Sequence, residues 1–505
     1  MAFPCLCLEA PLSPPPFSFP DVLPSAALSP ANFAAPFAAW AFVLSAASLW
    51  MASPTSAVAS FFAAKAWRSP LLSDRRQFDV LVVGGGPAGI AAACAAAEAS
   101  ARVAIADDNP GLGGQIWRGE HASPATREAA RWYRRLNDLS IPHLAGIRVF
   151  ARLDAHTLLA ESDSGVCELA FEKLILATGA RERFLPFPGW TLPNVMGAGG
   201  LQALATSGWN LRGRKVIVAG TGPLLLAVAA HLKRYGADIL LIAEQASRRR
   251  LLPFAFGLFA QPSKLKDAVT LRRELAGVPY RSGCWPLAAS GKHKLETVTL
   301  RRGPKIWSLP CDYLACGFHL VPNTELAALL GCAVENGKVR VDNLQQTTIP
   351  GVYCAGEPTG IGGLELSLVE GQIAGYAAAG SLEPAHRLFS NRNRLRRFAS
   401  RMERAFSLRP QLKELPQPDT LVCRCEDVSL ARLCEHSSWR SAKLLTRCGM
   451  GPCQGRVCGS ALEFLLDWKP ESVRPPVFPV RVESLIAAAA RAASLTSVSS
   501  PVVRS

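Results

Sequence analysis

The stretch FDVLVVGGGPAGIAAACAAAEA, beginning at Phe78, constrains the fold more than any other part of the chain. An apolar run, a glycine turn and an Ala-rich segment, in that order, read as a buried strand, a tight turn and a helix, the opening of a parallel βαβ unit. Gly84, Gly86 and Gly89 fit G-x-G-x-x-G, with Pro87 and Ala88 inside the turn. The first glycine permits the tight turn, the second lets a pyrophosphate approach the backbone, and the third lets helix and strand pack closely. The next strand, ARVAIAD, ends in Asp107, 18 residues after Gly89, where a carboxylate can accept hydrogen bonds from an adenosine ribose.

A second copy, GRKVIVAGTGPLLLAVAAHLKRYGADILLIAE, places Gly220 136 residues after Gly84. Gly220 and Gly222 are present and the strand-end acid is Glu244, but Leu225 puts a side chain at the third glycine position, where close helix–strand packing wants none; this argues against ordinary nicotinamide binding and leaves NAD(P) or another adenine nucleotide an open question at this second site. Arg248, Arg249 and Arg250 could meet a ribose phosphate, but a solvated basic loop is the simpler reading. Two further strands end in glycine, LILATGARER with Thr178 and Gly179, and GVYCAGEPTGIGG with Gly356 and Glu357.

The chain has 505 residues, enough for two to four domains, and its 49% apolar and 19% charged residues exclude a disordered, collagenous or coiled-coil chain. Half of the net charge of +16 comes from Arg387 to Lys413, with nine basic residues against Glu403. Its apolar positions Leu388, Leu395, Phe398, Met402 and Ala405 recur at helical spacing, so the segment reads as an amphipathic helix with a solvated Arg-rich face or a docking linker, and no nucleic-acid partner is expected. The first 64 residues have no Lys or Arg and ten prolines. Residues 1–75 therefore read as a misassigned start (with Met51 one candidate), a disordered leader or, last in order, a membrane anchor.

Six of the fifteen cysteines (Cys423, Cys425, Cys434, Cys448, Cys453 and Cys458) fall within 36 residues. Such a cluster indicates a metal site in a reducing, cytoplasmic compartment rather than a disulfide framework. Cys423, Cys425, Cys453 and Cys458 offer four thiolates for a [2Fe–2S] cluster, with Cys434 and Cys448 as spares, Cys448 in its glycine-rich turn being the one that could replace either downstream ligand, and structural zinc as the alternative.

The A-T-G and late glycine strands, taken with the opening turn, resemble the recurring set of the two-dinucleotide-domain flavoproteins, α/β chains whose FAD domain is interrupted by a nicotinamide-type Rossmann domain. In that superfamily the A-T-G strand passes close to FAD and the late acid serves its ribityl–pyrophosphate region; here Glu357 stands where Asp is usual. The block VCRCEDV with TRCGMGPCQGRVCG resembles the bacterioferritin-associated-ferredoxin-like [2Fe–2S] domain, whose pattern keeps cysteine at the positions of Cys453 and Cys458 and tolerates other residues at that of Cys448. Joined to GGQIWR, which contains Gly114 and Gln115, and to RPPVFPV, the chain from about Phe78 to Val480 resembles the family of alpha-type subunits of hetero-oligomeric flavin dehydrogenases. That family includes the opine oxidase A, hydrogen cyanide synthase B and hydroxyproline or proline dehydrogenase alpha-type subunits.

The resemblance implies FAD domain halves at 76–185 and 318–382, a second Rossmann-like domain at 186–317, a linker helix at 383–418, a small [2Fe–2S] domain at 419–470 and a Pro-containing tail at 471–505. It also implies an electron-transfer role beside a D-amino-acid-oxidase-like flavoprotein subunit, with a small ferredoxin-like subunit as a further partner; the alternatives are a self-contained NAD(P)H-dependent FAD oxidoreductase, suggested by the second βαβ unit, and a non-enzymatic iron–sulfur carrier. The 17-residue uncharged run Phe37 to Ser53 is short for a membrane span, which leaves peripheral association as the only membrane contact expected. No catalytic base is expected on this chain. A thiol–disulfide reductase would need a cysteine pair, and Gly111 to Trp117 has none. Cys311 and Cys316 read as core cysteines.

Overall fold

The computed structural model describes residues 75–118, 126–469 and 472–498; the expectations for the leader lie outside these. Strand β1 (Arg75–Val83), helix α1 (Pro87–Glu98) and strand β2 (Val103–Asp107) form the opening unit, with β1 and β2 parallel from Val80 opposite Val103 to Val83 opposite Ala106. Small side chains dominate α1, and ten of its twelve residues are buried, as a helix apolar all round must be. Helix α2 (Arg127–Asp138), capped by Thr126, leads to β3 (His143–Ala145), and an antiparallel run of β4 (Arg148–Asp154), β5 (Thr157–Ser162) and β6 (Gly165–Leu176) follows. The first sheet has the order β3-β2-β1-β6-β5-β4.

The chain leaves this sheet through β7 (Ala180–Glu182) and builds a second from β8 (Val195–Gly197), α3 (Ala198–Thr206), β9 (Lys215–Thr221), α4 (Leu224–Arg234) and β10 (Asp238–Glu244). Helices α5 (Arg248–Gly257) and α6 (Pro262–Glu274), β11 (Tyr280–Ser282), the antiparallel β12 (Cys284–Ser290), β13 (Thr297–Arg302) and β14 (Lys305–Pro310), and then β15 (Tyr313–Phe318) complete the unit. Its five parallel strands run β11-β10-β9-β15-β8. Strand β16 (Leu320–Pro322) pairs antiparallel with β7, so the two crossings between the sheets lie side by side. After α7 (Glu325–Leu329) and the hairpin β17 (Val334–Glu335) and β18 (Lys338–Val339), strand β19 (Val352–Cys354) rejoins the first sheet parallel to β6.

Helix α8 (Leu364–Ala378) packs on α1, and Gly371 and Gly375 make this approach possible: a Cβ at either would overlap the Ala88 or Ala92 carbonyl. The short α9 (Leu382–Arg387) precedes α10 (Phe389–Ala405), the basic helix. Its arginines do not all face solvent, which corrects the expected solvated face. Arg392 is 1% exposed, with its guanidinium bonded to Asn343 and 4.5 Å from the Phe389 ring centroid, and Arg396 reaches inward to Glu370.

The cysteine module consists of β20 (Leu421–Cys423), β21 (Val428–Ser429), α11 (Leu430–Cys434), α12 (Trp439–Thr446) and α13 (Cys458–Leu466) around a small core containing Val422, Leu433, Trp439 and Leu462. Beyond it the tail returns to the first sheet. Val477 donates its N–H to the Phe150 carbonyl at 2.9 Å, and α14 (Val482–Val498) lies on β4, β5 and β6 through Ala487, Phe150, Leu159 and Val166. Among the described residues no helix is long and apolar enough to cross a membrane.

Candidate cofactor sites

The C-terminal ends of β1 and β2 open onto the first crevice, where an open α/β sheet binds its ligands. A Cβ on Gly89 would overlap the Gly84 carbonyl, so helix and turn meet there with no space for a side chain. At Gly86 a Cβ would have no atom nearer than the Gly114 Cα at 3.8 Å, which leaves that side of the turn free for a ligand. Helix α1 starts buried, without a side-chain cap or an acidic residue in its first turn. Its free N–H groups and positive dipole end suit an anionic ligand.

Asp107 is 8% exposed and organises the turn: one carboxylate oxygen accepts the Gly85 N–H, and the other accepts the Asn109 backbone and side-chain N–H groups at 2.8 Å. The segment containing Gly114 and Gln115 crosses beside it, held by the Gly113 N–H on the Gly85 carbonyl at 2.8 Å, with Gln115 exposed. Thr178 and Gly179 form the start of one inter-sheet crossing and are stapled to the other. The Thr178 hydroxyl donates to the Asn323 carbonyl at 2.7 Å, the Asn323 amide to the Thr178 carbonyl at 2.9 Å, and the Asn323 N–H to the Gly179 carbonyl at 3.0 Å.

Gly356 and Glu357 sit in the turn before α8. The Gly363 N–H donates to Glu357 Oε1 at 2.9 Å, while Oε2 is buried without a partner. Burial pushes this carboxyl up to about 7 against the pull of the Gly363 N–H, and the Glu370 charge adds to the rise. Gly356 lies against Ala88 in the first turn of α1, where a Cβ on it would stand 2.8 Å from the Ala88 Cβ, and an orphaned buried carboxylate oxygen beside that helix end with its free N–H groups fits a ligand with both hydroxyl and phosphate groups, as FAD has. Sequence reasoning missed what holds this turn. Glu370 accepts the Gly356 N–H at 3.2 Å and the Thr359 hydroxyl at 2.8 Å on one oxygen and Arg396 on the other, and Arg396 also donates to Gln345 at 2.8 Å.

The second crevice is built differently. Leu225 is fully buried, and Gly317 on β15 provides its space: a Cβ there would lie 3.4 Å from Leu225 Cδ2. Gly220 and Gly222 flank Thr221 at the end of β9. Glu244 is completely buried and accepts the Thr221 hydroxyl at 3.0 Å, the Gly222 N–H at 2.8 Å and the Ala246 N–H at 2.7 Å, while burial pushes its carboxyl up to about 7.

In the cysteine module the sulfurs of Cys423, Cys448 and Cys458, all buried, lie within 4.8 Å of one another. Hydrogen bonds from the Cys448 and Cys458 thiols, with the Gly449 and Glu426 N–H groups, pull Cys423 down to about 2, and the same contact raises Cys448 to about 12. Cys425 is exposed and hydrogen-bonds to Cys453. A cavity of about 90 Å³ is lined by Cys423, Cys425, Cys453 and Cys458 with Phe184 and Trp190; Cys448 is not among its lining residues. Cys434, on α11, is not in the sulfur group. Thiolates from two loops, met by backbone N–H groups of tight turns, are a donor set that suits an iron–sulfur cluster or zinc. Cys311 and Cys316 are buried core thiols, both raised by burial, Cys311 to about 12.

Three comparisons bear on these sites. The family described as Pyridine nucleotide-disulphide oxidoreductase matches residues 78–379. The opine oxidase A subunit of Rhizobium meliloti strain 1021 is 32% identical over 80% of this chain and 97% of its own length. Hydrogen cyanide synthase subunit HcnB of Pseudomonas aeruginosa is 31% identical over 75% of this chain and 90% of its own. Among solved structures, L-proline dehydrogenase from P. horikoshii shares the fold with a TM-score of 0.61 at 19% identity, covering 82% of this chain and 80% of that one.

Proposed function

Since the chain belongs to the pyridine nucleotide-disulphide oxidoreductase family, and within it to the group that holds HcnB and the opine oxidase A subunits, it is a flavin-dependent oxidoreductase, and we propose that it is the electron-transfer subunit of a hetero-oligomeric dehydrogenase or oxidase. On this reading it carries FAD and a [2Fe–2S] cluster, and the donor is an amine, opine or imino acid oxidised on a D-amino-acid-oxidase-like partner. The flavin supplies the step between two-electron and one-electron chemistry, and the cluster the one-electron step.

One observation carries the reading: the cysteine module is docked on the strand that follows Thr178 and Gly179. Arg181 donates to the Arg456 carbonyl at 3.2 Å, between Cys453 and Cys458, while also holding Asn323 at 2.7 Å and Glu325 at 2.8 Å. Trp190, which lines the cysteine cavity, donates to the Leu421 carbonyl at 2.6 Å. The two candidate cofactor sites are thereby held at a fixed spacing by this chain's own side chains.

Cys423, Cys425, Cys453 and Cys458 are proposed as the ligands, supported by their common cavity. The test is electron paramagnetic resonance of the reduced protein. Cys448→Ser should keep the cluster signal, and Cys458→Ser should lose or markedly shift it; a zinc-loaded protein with no signal would remove the relay. The division of labour is tested with an artificial dye: if the isolated chain oxidised amino acids at the full rate of the complex, no partner would be needed.

A further inference from the structure

The second crevice already has an occupant. Between α10 and the cysteine module the chain runs across the C-terminal ends of β9 and β10, where a sheet of this kind takes a nucleotide. The Phe406 carbonyl accepts the Gln245 side-chain amide at 3.3 Å and lies 3.0 Å from the Thr221 hydroxyl, whose single proton it shares with Glu244. The same amide reaches the Ser407 carbonyl at 3.2 Å, and the Arg409 N–H returns a bond to Gln245 Oε1 at 3.2 Å. Arg250 clamps Ser407 from outside through its carbonyl at 3.1 Å and hydroxyl at 2.9 Å. The Phe406 side chain is 6% exposed and packs with Ala246 on the loop after β10, Leu251 and Phe254 on α5 and Met402 on α10.

The crevice nevertheless keeps nucleotide-binding features. Its glycine turn leads into α4, whose N-terminus has no side-chain cap and no acidic residue in the first turn. Gly222 has open space where a Cβ would stand, and exposed Arg248 and Arg249 flank the exit. Thr221 and Gln245 bond to each other at 2.9 Å, and the bonding capacity they turn toward the mouth is taken up by peptide groups of residues 406–409. Gln245 contributes most, because its amide meets three of those residues at once.

We propose that Phe406–Arg409 is an internal competitor for the second dinucleotide site and that Gln245 is a specificity-determining residue, the two together keeping nicotinamide donors away from the flavin. Nucleotide affinity is then set by the cost of displacing the segment, as for any ligand whose binding-competent state is a minor one. A surface recess of about 610 Å³ lined by Arg250, Ser400, Glu403, Arg404 and Ser407 adjoins the segment at Ser407. This inference rests on the family membership and the crevice geometry, not on the electron-relay reading or on any cluster.

The test uses the full chain with its flavin bound and NAD+ as probe. Calorimetric titration should give at least tenfold tighter NAD+ binding for Gln245→Ala and for Phe406→Ala than for the unaltered chain. Added NAD+ should also speed amide exchange across residues 405–409 in the variants. Because Phe406 is also a core side chain, Gln245→Ala and exchange on the unaltered chain keep the test independent of how Phe406→Ala folds. Variants that retain stoichiometric flavin but bind NAD+ no tighter would overturn the proposal. So would unaltered chain that takes up NAD+ with residues 405–409 still fully protected.

Discussion

Gly86 and Gly89 belong to one motif and differ in what a side chain would meet. Gly86 has an ordinary extended backbone, φ −76° and ψ −178°, and an open side toward the ligand. Gly86→Val should therefore fold and lose FAD, read as flavin absorbance per chain against unchanged far-ultraviolet circular dichroism. Gly89→Val should damage the fold itself, because its Cβ meets the Gly84 carbonyl. Glu244 supplies a prediction in pH. Its folded pKa, about 7, lies above the usual glutamate value, so the folded chain binds the extra proton and its contribution is fully present below about pH 4.5 and lost as pH rises through 7. The loss is on the order of 3 kcal/mol. Comparing denaturation of Glu244→Gln and the unaltered chain from pH 5 to 8 should show a shallower decline in the variant. The strand-end acids and glycine turns were legible because their chemistry is local in sequence. Gln245 was not, because its meaning depends on a segment more than 160 residues away. Cys448 was legible as a cysteine but not as a neighbour of Cys423 and Cys458, since spacing does not report which turn folds back on which strand.

Among the elements, α8 and α10 act on the first crevice without lining it. Helix α8 is held close to α1 by Gly371 and Gly375 and presents Glu370 to the turn at Gly356; α10 supplies the cation that pairs with Glu370. The periodicity of α10 gave its buried side, while its inward arginines were hidden because an arginine reads as solvated until a buried carboxylate is found opposite it. Arg396→Leu should leave Glu370 unpaired and cost roughly 2 kcal/mol, less than a fully buried pair loses because Arg396 is 36% exposed. FAD should also bind more weakly, since the Gly356–Thr359 turn loses its anchor. Equilibrium denaturation of the flavin-free chain measures the first effect and flavin titration the second; unchanged flavin affinity would show that Glu370 holds the turn without Arg396.

For the whole molecule, the tail is the return connection. It crosses the module at Arg456, whose guanidinium donates to the Val477 carbonyl at 2.6 Å and lies 4.3 Å from the Phe478 ring centroid. It then binds the first sheet through Arg481 to Glu161 at 3.0 Å and Arg491 to Glu168 at 2.6 Å. A chain ended at Ser472 should keep its FAD site but hold the module less firmly. Amide exchange around Val422–Cys425 should quicken about tenfold, as for a unit whose local opening has become easier. The same connections have a mechanical consequence. Two sheets joined only by the paired crossings β7 and β16 form a hinge with a single pin. Here the linker fastens the module to the second sheet and the tail fastens it to the first, so the pin is cross-braced into a closed frame. A braced frame cannot swivel unless one member is undone, so the molecule gives up the freedom to alternate between two postures and holds its two candidate cofactor sites at one separation, which is what the proposed relay would need.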